Sequence, residues 1–484
     1  MIGERKDKRD WENEGDLNWA EREFLRANLG DKRLNKRMVE IAKAFMSCPE
    51  AQIPQAMGDW AGTKGAYRFF DHPKVSVEKI LEPHRNATGE RVKGKETVLA
   101  IQDTSFIDYT SHPATEGLGL LSDEDHQGLI IHPTLAVSVE GVALGLIDMQ
   151  ILDREAIGVK NERKYKKTED KESRKWLKSY RATVRFEAQV GGLTHFVNVG
   201  DREGDIYDLF AEALKSKEEN AHASDVLVRA AWDRRVEHEE SYLWAFMKSQ
   251  EVAGTVVIEV PRKANQAARQ AHLSIRYAQV KIRPPAGRKK EEGLRTLVIW
   301  AVYAYEEHPP EGVEAISWML LTSMPVGSFQ EALEKVRWYT LRWTIEMYFK
   351  VLKSGCQIEE RQLEAAHRLK SCLAMDSIIA WRILFLTMVG RKLPELTAAI
   401  LFQDYEWKAL YCFINKTSRL PEEVPSLGDV IRQIGRLGGF LDRRSDGDPG
   451  STCLWRGMWR LTDISATWKI FNETSSPTRE KTYG

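Results

Sequence analysis

Cysteine is scarce and unpatterned in this chain. Cys48, Cys356, Cys372, Cys412 and Cys453 are scattered, odd in number and never spaced as a CxxC pair. That argues for a reducing cytoplasm and against a structural zinc site. Net charge is missing too, since 71 basic residues balance 71 acidic ones. Neutrality alone counts against nucleic acid as the partner. The N-terminal stretch MIGERKDKRDWENEGDLNWAEREFL is dense in charge and has no apolar core, so no signal peptide is expected. No uninterrupted membrane span stands out either. The best candidate, CLAMDSIIAWRILFLTMVG, is broken by Asp376 and Arg382 and reads as a buried helix. Internal repeats and low-complexity tracts are absent.

What is present is a chain of 484 residues, long enough for several domains with ample cores. Its cations are clustered, at residues 32–37 (KRLNKR), 160–178 (KNERKYKKTEDKESRKWLK) and 283–290 (RPPAGRKK). A neutral protein binds DNA when such clusters share a face, although each run alone reads more readily as solvated surface.

Helical spacing dominates the first eighty residues, in NWAEREFLRANL, KRLNKRMVEIAKAFMSC and DWAGTKGAYRFF. In the second of these, Arg33, Lys36 and Arg37 accompany Met38, Ile41 and Phe45, so one helix can pack inward and offer cations outward. The period then changes to two. TVLAIQD is a strand, LIIHPTLAVSVEGVALGLIDMQIL a hairpin turning at Glu140–Gly141, and THFVNVG another strand. Asp205 is a plausible N-cap for the helix DIYDLFAEALKS. Residues 225–320 are strand-rich (VLVRAA, GTVVIEV, HLSIRYAQVKIR, LRTLVIWAVYAYEE, SWMLLTS), and helices return from 358 onward. This is an α/β pattern with helical ends.

The chemistry concentrates in YTLRWTIEMYFKVLKSG. On one continuous α-helix, Tyr339, Arg342, Glu346 and Lys353 fall within roughly a 60° stripe about 21 Å long. Leu341, Ile345, Tyr348 and Leu352 form a second stripe that faces a core. Asp103 ends one predicted strand and Asp201 another, the edge where open α/β sheets place their sites. Three carboxylates within about 4 Å repel by roughly 4 kcal/mol per pair at an effective dielectric near 20, and divalent metal is the usual reason to gather them. Hard oxygen ligands suit Mg²⁺ or Mn²⁺ in two-ion phosphoryl transfer, with Arg342 and Lys353 on phosphate oxygens. Each residue has a plainer reading. Arg342 and Glu346 are a common i,i+4 pair, Asp103 can cap a turn at Thr104, and Asp201 can be a loop acid.

The combination resembles the DDE transposases of bacterial cut-and-paste insertion sequences, in the IS-four branch that contains the Tn-five transposase. Tyr339, Arg342, Glu346 and Lys353 match the Y-(2)-R-(3)-E-(6)-K signature, QDTS the first aspartate segment and GDREGD the second. NWAEREFLRANLGDKR, KGAYRFF, DKESRKW, WMLLTSMPV and GRLGGFLD extend the similarity nearly end to end. The chain departs in a slightly longer charged N-terminus and in lacking a lysine-rich run before the glycine-rich C-terminal motif.

The resemblance implies an RNase H-like catalytic core at 81–390 with a β-rich insertion at about 225–320. It places a helical DNA-end-binding domain at 1–80 and a helical dimerisation domain at 391–484. It implies two Mg²⁺ ions (Mn²⁺ substituting) held by Asp103, Asp201 and Glu346, and nicking, hairpin formation, hairpin opening and strand transfer. Tyr339, Arg342 and Lys353 would hold end-proximal phosphates, and Trp318 would stack on a flipped base unless it simply packs in its strand. Arg33, Arg37, Arg68 and Arg229 would contact DNA. The implied partners are inverted-repeat ends and target DNA, bound by a homodimer in a synaptic complex, with no membrane and with a bacterial cytoplasmic, nucleoid-associated location. Leu454, Trp455, Met458 and Leu461, with Trp459 beside them, are the expected dimer face; the rival is packing on the protein's own core. An RNase H-type nuclease without strand transfer and a non-catalytic, transposase-derived inhibitor are the competing functions. Met38 or Met46 could serve as the internal start for such an inhibitor.

Overall fold

The β-branched and aromatic runs become strands where the sequence places them. A computed structural model describes residues 17–123, 125–152, 172–220, 222–238, 242–260, 268–285, 288 and 294–473. The basic cluster at 160–178 lies outside the described residues up to 171, and that at 283–290 does so at four positions. The strands are β1 (Thr97–Gln102), β2 (Ser105–Asp108), β3 (Gly119–Leu120), β4 (Gln127–Ser138), β5 (Ala143–Leu152), β6 (His195–Gly200), β7 (Asp225–Arg229), β8 (Gly254–Val260), β9 (Arg269–Ile282), β10 (Leu297–Glu306) and β11 (Ser317–Thr322).

Two units divide the chain, one of residues 88–106 and 119–346, the other of residues 1–87, 107–118 and 347–484. The N- and C-terminal helical segments therefore share a unit, and the boundaries expected near 80 and 390 do not coincide with those at 87 and 346.

In the sheet unit β5, β4 and β1 form an antiparallel set, with β4 and β5 joined through the Glu140–Gly141 turn. β1 runs parallel to β6, and β6 parallel to β7. Beyond β7 the order continues β11-β10-β9-β8, every pairing antiparallel. The β-rich block thus lengthens the same sheet, because β11 returns to hydrogen-bond β7 at Leu320↔Arg229, Leu321↔Val228 and Thr322↔Leu227. β1 and β6 are buried along almost their whole length, as expected of central strands covered on both faces. Helices Arg174–Gln189 and Tyr207–Glu219 supply Leu177, Tyr180, Leu209, Phe210 and Ala213 to a core shared with β7, β9, β10 and β11.

In the helical unit the first helix is shorter than its spacing suggested. Asn18 and Glu21 build a capping box, but the helix ends at Glu23. The chain after it is pinned as a turn by Asn35, which accepts from the Leu29 N–H and donates to the Ala27 carbonyl. Helix Ala366–Lys392 is long and apolar enough to cross a membrane, but 94% of its most apolar window is buried inside the protein. Asp376, which interrupts that run, is satisfied by Arg361 at 2.7 Å; Arg361 also donates to the Ala51 carbonyl and lies 4.5 Å from the Phe45 ring centre. His84 meets Glu23 at 2.5 Å with both side chains buried, and its ring packs on Trp381. These two polar contacts tie the N-terminal helices to the unit's central helix.

The C-terminal helix Ser451–Glu473 corrects one expectation. Leu454, Trp455, Met458 and Leu461 are all buried, so its apolar face is filled by this unit itself. The Trp455 ring lies against Gly355, where a Cβ would stand 3.0 Å from it, and its indole N–H donates to Glu50. Composition cannot distinguish a face turned to its own core from one turned to a partner.

Candidate active site

Register brings the two aspartates together. Ile101 on β1 pairs with Val199 on β6, and each acid stands two residues beyond. Parallel neighbours lie about 4.8 Å apart, so Asp103 and Asp201 leave the sheet side by side at its carboxyl edge. Local contacts fix both. Asp103 accepts from the Thr104 N–H at 2.7 Å, and Asp201 accepts from the Glu203 N–H at 2.8 Å while capping the 3₁₀ turn Arg202–Gly204.

The glycines of VGDREGD have a steric reason. The Trp176 ring lies across Gly200 and Gly204, and a Cβ at either would come within 2.7 Å or 3.1 Å of it. Trp176 also meets the edge of His132 at 4.8 Å, and His132 contacts the Thr104 hydroxyl at 3.0 Å. Burial keeps that imidazole neutral, holding it well below the usual histidine range. Sequence reading quoted Trp176 within a motif and passed over His132; the small residues flanking Asp201 were the available signal.

The third acid arrives on a helical run that is not one α-helix. Helix Phe329–Thr340 carries Tyr339 in its last turn, followed by a 3₁₀ turn Leu341–Trp343, an α-helix Thr344–Lys350 and a π turn Val351–Gly355. The single stripe drawn for an ideal α-helix is therefore interrupted on both sides of Glu346, because 3₁₀ and π turns advance by different angles. Ile345, Tyr348 and Leu352 are buried as expected, and Leu341 is half-buried.

Arg342 joins the acids. Its guanidinium donates to Asp103 at 3.1 Å and is ion-paired with Glu346. Burial, the Asp201 charge and the Glu346 charge push the Asp103 carboxyl up to about 6, against the Thr104 N–H and Arg342, which pull it down. Tyr339 is buried beside Arg342 and Arg229, and burial raises its phenol above the ordinary value. Arg229, at the end of β7, donates to the Ser317 carbonyl at 2.9 Å and has Tyr339, Arg202 and Arg342 for neighbours. Trp318, half-buried on β11, packs its ring edge-to-face with Tyr339 at 5.4 Å. Asp103, Asp201, Glu346, Tyr339, Arg342, Arg229 and Trp318 all belong to the sheet unit. Trp343, next to Arg342 and 46% exposed, is an aromatic that sequence reading missed.

The remaining basic residues belong to the helical unit. Lys353 sits in the π turn and pairs with Glu359 at 3.2 Å. Arg33 is exposed beside its own N-cap, Asp31. Arg37 pairs with Glu40 at 3.0 Å, and its guanidinium lies over the bare backbone of Gly65. Arg68 is exposed in the last turn of helix Trp60–Phe70.

The donor set suits a hard divalent cation in kind, with three carboxylates and an Asp103 proton affinity raised by burial and then by the neighbouring Asp201 charge. It is not a preformed cage. Among the described residues no three carboxylate, histidine or cysteine side chains converge at metal-holding distance, and Arg342 stands between Asp103 and Glu346.

Residues 16–75 match the family model for transposase DNA-binding, and residues 378–472 match that for the transposase Tn5 dimerisation domain. Together the matches support a Tn5-like transposase. They support DNA as a partner and a homodimer as the assembly. Arg33, Arg37 and Arg68 lie within the first match. The second begins inside helix Ala366–Lys392, so the matched segment starts before 391.

Proposed function

We propose that the chain is a cut-and-paste transposase of the DDE type, with Asp103, Asp201 and Glu346 as its catalytic acids. It would bind terminal inverted repeats, excise the element by nicking and hairpin formation, and join the 3′ ends to target DNA. The observation that carries this reading is the pairing of Ile101 with Val199, which sets Asp103 beside Asp201, together with Arg342 linking Asp103 to Glu346. The strand order β5-β4-β1-β6-β7, with only β1, β6 and β7 parallel, supports an RNase H-like core.

Two Mg²⁺ ions held by the three acids, or Mn²⁺ in their place, would supply activation of a water or 3′-hydroxyl and stabilisation of the leaving oxygen. The protein's own residues do the rest. Arg342, released from its carboxylate partners, would donate to a substrate phosphate through a planar fork suited to two oxygens. Arg229 and Tyr339 add a second cation and a hydroxyl at the same edge. Trp318 offers a ring for an extruded base, and base–aromatic stacking is worth about 1–3 kcal/mol, enough to hold a base out of the helix. Lys353 would reach an end-proximal phosphate, and Arg33, Arg37 and Arg68 would bind the terminal repeat in the bacterial cytoplasm, as a dimer on two paired ends.

The test is substitution of each acid. Asp103→Asn, Asp201→Asn and Glu346→Gln are each expected to abolish cleavage in Mg²⁺ or Mn²⁺ while leaving DNA-end binding intact in Ca²⁺. More than a few per cent residual cleavage in any one of them would remove that residue from the ligand set.

A further inference from the structure

Three parallel neighbours, β1, β6 and β7, end at one edge of the sheet. The first two deliver Asp103 and Asp201 there. The third delivers Arg229 and then Ala230, Ala231 and Trp232. The Trp232 side chain is 69% exposed. An isolated exposed tryptophan needs no explanation on most surfaces; this one is held by a built support.

The support is Asp205, whose side chain is buried. The sequence makes Asp205 a candidate N-cap, yet the cap of helix Tyr207–Glu219 is Ile206, which makes no side-chain bond. Asp205 instead accepts from the Ala231 N–H at 2.8 Å and the Trp232 N–H at 3.2 Å, and forms an ion pair with Arg234. Further bonds lock the surrounding chain. The Ala230 N–H donates to the Met319 carbonyl at 2.7 Å, the Arg234 N–H to the Trp232 carbonyl at 2.9 Å, and the Trp244 N–H to Asp233 at 2.9 Å. The second aspartate of GDREGD, Asp205, thus fixes the loop that presents Trp232, four residues on from the acid assigned to catalysis.

The surroundings identify what the indole meets. Three residues of chain span at most about 11 Å, so Trp232 lies within that reach of Arg229. Met319, bonded to Ala230, adjoins Trp318 in sequence. A solvent-facing ring, carried on a loop fixed at the sheet edge that also delivers Arg229, Asp103 and Asp201, fits a nucleobase that has left its pair. The arginines hold the backbone, and any base can stack whatever its edge.

We propose that Trp232 is a base-stacking residue for an unpaired nucleotide at the edge of the cleavage site, distinct from Trp318, with Asp205 as its positioning residue. This rests on the DNA-processing reading given above.

The experiment uses the full chain without divalent metal, so that no cleavage occurs. The probes are a forked duplex with 2-aminopurine at an unpaired position and a fully paired duplex of the same sequence. Wild type is expected to quench the 2-aminopurine on binding. Trp232→Ala should lose that quenching and bind the fork about tenfold more weakly, with paired-duplex binding unchanged. Trp232→Phe should keep most of both, and the melting temperatures should match because the ring is exposed. Unchanged quenching and fork affinity in Trp232→Ala would overturn the stacking role while leaving the DNA reading in place. So would equal loss on both probes, which marks an ordinary duplex contact. Failure of the wild type to bind either DNA would overturn the transposase reading and this inference with it.

Discussion

Arg342 donates to Asp103 at 3.1 Å and so places a cation inside the acidic edge. Without it, Asp103, Asp201 and Glu346 would face one another with their charge uncompensated by that residue. The metal-free Arg342→Ala protein is therefore expected to melt below wild type and to gain more thermal stability from added Mn²⁺. Equal gains in the two proteins, measured by scanning calorimetry, would show that Arg342 does not substitute for a bound cation.

Trp176 and Gly200 form a close steric pair in the sheet unit. Gly200→Ala would place a methyl group 2.7 Å from the indole, and overpacking of this kind costs about 1–3 kcal/mol. Urea unfolding is expected to register that loss. Cleavage should fall further than stability alone accounts for, because Asp201 is the next residue. A variant as stable and as active as wild type would mean that the ring moves freely aside.

Asp225 gives the fold an acid limit. Burial works to raise its carboxyl, but His195 at 3.1 Å, Lys217 at 2.6 Å and the Ser323 hydroxyl together hold it below the ordinary aspartate value. A carboxyl depressed in the folded state contributes stability above its unfolded value, and that contribution is lost as pH falls through the folded one. Wild type should therefore lose stability progressively below about pH 5. Asp225→Asn should be less stable at neutral pH and flatter across the acid range. Parallel stability–pH curves would contradict the assignment.

The C-terminal helix separates folding from pairing. Trp455→Ala removes a buried ring and is expected to cost about 3–5 kcal/mol of stability. Ile470 and Phe471, on the same helix, are 63% and 70% exposed. Changing both to Asp should weaken the dimer in sedimentation and abolish paired-end complexes while single-end binding is retained. A full-strength dimer would place the contact elsewhere in the segment matched to the dimerisation domain.

Local periodicity made the strands legible. β1, β6, β8, β10 and β11 fall within the apolar runs read from the sequence, and β7 and β9 overlap theirs while starting one and three residues earlier, since a pleat writes its period into the sequence. The positions of Asp103 and Asp201 at strand ends were legible because the apolar runs stop there. What escaped depends on partners distant in the chain. Asp205 looks like a local cap but serves a loop after β7. The 3₁₀ and π turns flanking Glu346 change hydrogen-bond register without changing the apolar pattern. Leu454, Trp455, Met458 and Leu461 read the same whether they face their own unit or another. That β11 would return to β7 and extend one sheet has no signature in either strand alone.

That return has a consequence for how the site tolerates change. The chain leaves β7 after Arg229 and comes back at Ser317 to lie directly alongside it. The seam is closed by a main-chain ladder, and β10 pairs with the other side of β11 at Ala304↔Trp318, so the wall bearing Trp318 is held from both sides. Tolerance for change is greatest at the far edge, in β8, which β10 and β9 separate from β11. Such an arrangement lets the outermost strand diversify while the inner edge keeps its dimensions.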